Sequence, residues 1–312
     1  MQPALTDAAL ARALDNPVYR ARRIGLPLLA FCLGLGKPAW ILQIYALLNF
    51  AFWLLLFAAL GRYAGYRRPR DLLLALALLW STGTLISMAR ALTDFPATVL
   101  GFLAMFSCRH WLTTACFFGA TGLFRETSVL SFAAAPWRDQ QHGIDKKRLL
   151  VLILIMGLPL ALWLIYVQAQ LAAGAMAGNN QSFAFPLLGF VHKLTLAANN
   201  WMARPAGGPF DQQAVRAFEV LCPLSLVVPS AYLAIKPRLG SAAWRYGIGF
   251  ALLFALLGDS VWEEQIAYCR ALLPLTFSFN LLLHQFESGQ RFTTWYLAGN
   301  VGLCWDALNC LL

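Results

Sequence analysis

The stretch Leu149-Leu-Val-Leu-Ile-Leu-Ile-Met-Gly-Leu-Pro-Leu-Ala-Leu-Trp-Leu-Ile-Tyr-Val-Gln-Ala-Gln-Leu171 carries no charge over twenty-three residues and follows Lys146-Lys-Arg148 directly. A helix of about 20 apolar residues spans the hydrocarbon core of a bilayer, so this segment reads as a transmembrane helix with a basic anchor at one end. The rest of the chain has the same character. Of its 312 residues, 60% are hydrophobic and 12% charged, against ~45–50% and ~25% for soluble domains. Such a chain has more apolar surface than a folded soluble protein can hide. The composition excludes a cytosolic enzyme, a secreted domain and a disordered chain. The fold class it predicts is all-α: a polytopic transmembrane protein with about 8–10 membrane segments in a single domain, 1–312.

Outward from that span, further apolar segments run from Ala39 to Leu60, Leu72 to Met88, Phe218 to Ile235, Trp244 to Gly258, Ala271 to His284 and Thr294 to Leu312. Phe95 to Phe106 and Leu112 to Phe124 are shorter. Ile24 to Gly36 is too short to cross, so 1–38 is expected to lie at the outer interface as an amphipathic segment. Residues 172–217, rich in Gly, Asn, Gln and Pro, read as a long extracytoplasmic loop. Trp244, Trp262, Trp295 and Trp305 read as interfacial belt or packing residues.

The net charge of +10 is spread in short clusters between apolar runs, which excludes a nucleic-acid surface and sets orientation instead. The loops at 61–70, 107–111, 138–148, 236–245 and 285–293 hold thirteen Lys and Arg, and the alternate loops hold seven. The first set is therefore expected on the cytoplasmic side. Seven cysteines show no CxxC spacing, and four histidines no ligand pair, so neither a disulfide framework nor a metal or other cofactor is expected.

Most carboxylates fall on the outer set, where acidic groups near a membrane need a partner or a task. In Arg90-Ala-Leu-Thr-Asp94-Phe-Pro96, Asp94 reads either as a helix N-cap paired with Arg90 or as a site carboxylate. Arg125-Glu126 interrupts an apolar stretch from Leu112 to Pro136 that must turn at these charges. The pair is either self-neutralising, or Arg125 clamps a phosphate with its bidentate fork. Glu263-Glu264 precedes Arg270, a second candidate for an anionic head group. The two glutamates are either a solvated loop pair or an acid–base pair.

Leu92-Thr-Asp-Phe-Pro-Ala97, Gly122-Leu-Phe-Arg-Glu-Thr-Ser-Val-Leu130, Arg270-Ala-Leu-Leu-Pro274 and Asp15-Asn-Pro-Val-Tyr-Arg-Ala-Arg-Arg-Ile-Gly-Leu-Pro-Leu-Leu-Ala30 together resemble GT-C-type glycosyltransferases. Those of bacterial cell-surface glycopolymer formation are nearest, with GPI mannosyltransferases more distant. The resemblance implies a polyprenyl-phosphate-linked sugar donor among membrane lipids, and a surface glycan or glycolipid acceptor. It further implies transfer at the extracytoplasmic face, without cofactor. It places Arg125 and Arg270 at the donor phosphate, with Asp94, Glu126, Arg90, Glu263 and Glu264 shaping the site. The family's first outer loop carries an acidic motif, commonly Tyr-Asp-Gly, whose Asp is the expected base. This chain has no Tyr-Asp-Gly, and Asp7 and Asp15 lack that context, so the catalytic residue stays unassigned. The expectation is a chain that starts too late, or one that is inactive or a partner subunit as written. The alternative function is a transporter or assembly subunit for surface polysaccharide.

Overall fold

The computed structural model describes residues 20–107, 110–136, 146–171, 182–203, 210–263 and 267–309. These residues are helical almost throughout, and among them one β-bridge, Phe183 with Leu257, is isolated. Among the described residues, three helices are long and apolar enough to cross a membrane: α2 (Pro38–Ala64), α7 (Lys146–Leu171, over its first 25 residues) and α9 (Phe210–Ile235, from Ala217). Their outer faces are studded with exposed leucine, isoleucine and phenylalanine, such as Leu42, Phe50, Leu54, Ile153, Leu162 and Ile165. A membrane, not water, is the environment such faces fit.

The remaining segments are shorter than the apolar pattern implied. Leu72 to Met88, expected as one span, is two helices, α3 (Pro69–Leu79) and α4 (Thr82–Ala89), bent by 45°. The break is made by hydroxyls: Ser81 Oγ accepts from the Thr84 N–H at 3.4 Å, and Thr84 Oγ1 donates to the Leu78 carbonyl at 2.8 Å. Three apolar helices stop at 13 to 15 residues: α5 (Asp94–Phe106), α6 (Trp111–Phe124) and α10 (Ala242–Leu256). By length and composition, three described helices could cross a membrane, or four if the bent pair is one span, with these shorter apolar helices beside them.

α1 (Gly25–Leu33) has nine residues, too few to cross a bilayer. Its approach to the bundle is set by Gly25, where a Cβ would lie 2.3 Å from the Phe124 ring. Residues 172–217 are not a featureless connection, because α8 (Leu188–Ala203) occupies their centre. The short helices α11 (Asp259–Glu263) and α12 (Ala267–Ala271) follow α10. Trp262 joins them to α8, packing on Phe190, Phe254 and Tyr268 with ring centres 4.8 to 5.7 Å apart. Trp262 is a core residue, not a belt residue.

α13 (Leu273–Phe286) lies at the centre. Every residue from Leu273 to Leu283 is buried, as expected of a helix apolar on all sides. α14 (Gly289–Asn309) packs against it and against α9. Asn280 of α13 and Asn300 of α14 exchange amide hydrogen bonds at 2.9 and 3.0 Å, both fully buried. At the far end of α13, Glu287 Oε1 accepts from Lys236 Nζ at 2.5 Å and from Tyr232 at 2.9 Å.

Burial alone would raise the Glu287 carboxyl, but Lys236 and the Tyr232 hydroxyl outweigh it and hold it below the ordinary value of 4.5. Folding therefore favours the ionised form. Its contribution is complete above pH 4.5 and disappears as pH falls through the lower folded value. Glu287→Gln is expected to melt below the wild type at neutral pH, with the gap closing in acid. A gap that stays constant down to about pH 3 would show that the carboxylate charge contributes nothing.

Candidate functional site

The turn after α6 positions the central residue. Arg125 leaves the helix with extended backbone, its N–H still bonded to the Thr121 carbonyl at 2.9 Å. Its own carbonyl accepts from Ser128 at 3.0 Å and starts a 3-10 helix, Glu126–Ala134, that folds back along α6. Arg245 of α10 closes the far end of that helix by donating to the carbonyls of Ala133 and Ala134. The charges at 125 and 126 thus stand at a turn, as the apolar pattern on both sides required.

Consecutive residues at this turn diverge. The Arg125 guanidinium makes a close ion pair with Asp94 Oδ1, and its Nη1 also donates to the Arg270 carbonyl at 3.1 Å. Glu126 turns the other way, to Arg23 Nε at 3.4 Å. The self-neutralising Arg125–Glu126 pair is therefore not formed, and the anion facing Arg125 is Asp94.

Asp94 is the first residue of α5, and Thr93 is the N-cap, so Asp94 does not cap that helix with its side chain. The carboxylate is 1% exposed and faces three guanidiniums: Arg125, Arg270 Nη1 at 3.5 Å and Arg23 Nη1 at 3.8 Å. Arg270 comes from α12 and Arg23 from the residues just before α1. Four separated stretches of chain, at 23, 94, 125–126 and 270, thus converge on one point. With Glu126 the group holds three positive and two negative side chains, an excess of one positive charge. Arg125 Nε is buried there without an acceptor. An N–H in that state is costly unless an anion or water meets it.

Of the residues singled out in the sequence, Asp94, Glu126, Arg125 and Arg270 are brought together. Arg90 is not among them: it lies exposed at the end of α4, so the expected i,i+4 pair with Asp94 has no common helix. Glu263 is exposed on α11, and Glu264 lies outside the described residues, as do Asp7 and Asp15. Arg23 went unassigned because it sits in a basic cluster that reads as a membrane flank. No group of three metal-ligating side chains occurs among the described residues. No protein-family model, curated protein or solved structure matches the chain.

Proposed function

We propose that this arginine cluster binds the phosphate of a polyprenyl-phosphate-linked sugar, in a GT-C-like membrane glycosyltransferase of the bacterial inner membrane. The sugar passes to a surface glycan or glycolipid at the extracytoplasmic face. The observation that carries this reading is the convergence of Arg23, Arg125 and Arg270 on Asp94. When a sugar leaves a lipid phosphate, negative charge grows on the phosphate oxygens. Guanidiniums already fixed in place by Asp94 and by the Arg270 carbonyl stabilise that charge without reorganising.

One observation favours a second reading. Transfer needs a carboxylate free to take the acceptor's hydroxyl proton. Asp94 and Glu126 are both held in ion pairs, which suits a transport or assembly subunit that binds lipid phosphate without transferring sugar.

Binding of sugar-free polyprenyl phosphate to the purified chain in lipid nanodiscs tests the shared premise. Arg125→Lys keeps the charge and loses the fork. It is expected to weaken binding roughly tenfold to a hundredfold at unchanged melting temperature. Wild-type affinity in this variant would end the phosphate assignment. Labelled sugar appearing on an acceptor selects the transferase, and binding without transfer selects the subunit.

A further inference from the structure

Cys269 of α12 directly precedes Arg270 of the anion site, and Cys222 lies on α9. They are 47 residues apart in sequence, yet their sulfurs lie 3.2 Å apart. Both are buried, at 1% and 3% exposure, whereas Cys32 and Cys116 are exposed. A disulfide needs its sulfurs about 2.05 Å apart, so roughly 1 Å of closure separates this pair from a bond.

The surroundings give the bond a purpose. α12 is a five-residue helix, too short to hold its place by its own hydrogen bonds. It carries Arg270, whose guanidinium faces Asp94 and whose carbonyl receives Arg125. On one side it is wedged against α4, where a Cβ on Gly83 would lie 2.7 Å from the Cys269 carbonyl oxygen. Cys222 meets it from α9. The pair also lies toward the end of the bundle that the Lys and Arg distribution assigns to the extracytoplasmic side, where disulfides persist.

We infer that Cys222 and Cys269 form a disulfide in the native protein, stapling the Arg270-bearing helix to α9. Each cysteine loses its thiol proton, and together they lose two electrons as the Sγ–Sγ bond forms. A protein disulfide of a thiol–disulfide oxidoreductase takes up those electrons. It first forms a mixed disulfide with one cysteine and then leaves as a dithiol when the second cysteine attacks. Since both sulfurs are buried in the folded chain, the exchange precedes packing of α12 on α9. None of this depends on what anion the cluster binds.

The test uses the full chain in intact cells. Thiols are trapped by acid, blocked with N-ethylmaleimide in denaturant, and mapped by peptide mass spectrometry with and without later reduction. The expected result is a linked peptide pair containing Cys222 and Cys269 that separates on reduction, with Cys32 and Cys116 carrying maleimide. In Cys269→Ser, Cys222 is expected to become alkylated. Maleimide on both Cys222 and Cys269 of the wild type overturns the inference, as does either cysteine linked to a different partner. The wild-type map decides the question even if Cys269→Ser fails to accumulate.

Discussion

Asp94→Leu is expected to cost the folded chain about 3–5 kcal/mol, the penalty for removing one member of a buried ion pair. Three guanidiniums converge on that carboxylate, so its removal leaves like charges facing one another in a site nearly closed to water. In detergent the melting temperature should fall by roughly 10 °C. Asp94→Leu/Arg125→Leu removes the closest cation together with the carboxylate, and is expected to recover most of the loss. Glu126→Gln, at a carboxylate 19% exposed with Arg23 as its recorded partner, should cost under about 1 kcal/mol. If Asp94→Leu melts with the wild type, the carboxylate does not organise the arginines and the site as described is wrong.

The second large effect lies in the packing of α9 on α14. Gly302 approaches α9 so closely that a Cβ there would fall 2.4 Å from the Leu221 carbonyl oxygen and 2.2 Å from Ser225 Oγ. The same Ser225 hydroxyl accepts the Gly302 N–H at 3.0 Å. A backbone carbonyl cannot rotate out of the way as a side chain can, so the helices themselves must separate. Gly302→Ala is expected to cost about 1–3 kcal/mol, and Gly302→Leu to abolish the monodisperse folded species in size-exclusion chromatography. Wild-type elution and melting of Gly302→Leu would refute the close approach.

How much of this was legible in the sequence depends on whether the decisive interactions were local. α7 was plain, because a charge-free apolar run between a basic triplet and a polar stretch admits no other reading. The break between α3 and α4 was hidden, because Trp80 and Ser81 sit in an apolar context and the bend rests on hydroxyl contacts of Ser81 and Thr84. α8 was masked by the Asn and Gln that flank it, since hydropathy averages over a helix and its polar surroundings. At the site, Asp94, Arg125 and Arg270 stood out as charges among apolar neighbours. Their pairing did not, because it joins residues as far as 176 positions apart. Adjacency suggested Glu126 as the partner of Arg125, but neighbouring side chains at a turn point apart, and each found a distant counter-ion instead.

The burial of every residue from Leu273 to Leu283 also bears on how α13 and α14 are aligned. A segment buried on every side takes all its neighbours from protein. A surface of leucine and phenylalanine offers little to tell one sliding position from the next, because every position presents similar apolar contacts. The Asn280–Asn300 exchange supplies the missing index mark. Displacing α14 by a single residue along α13 breaks the exchange and leaves each amide only the bond to its own helix, Asn280 to the Thr276 carbonyl and Asn300 to the Tyr296 carbonyl, while the correct alignment adds the reciprocal pair. This reciprocal pair therefore acts as a detent in the folded bundle, favouring a single position of one helix along the other.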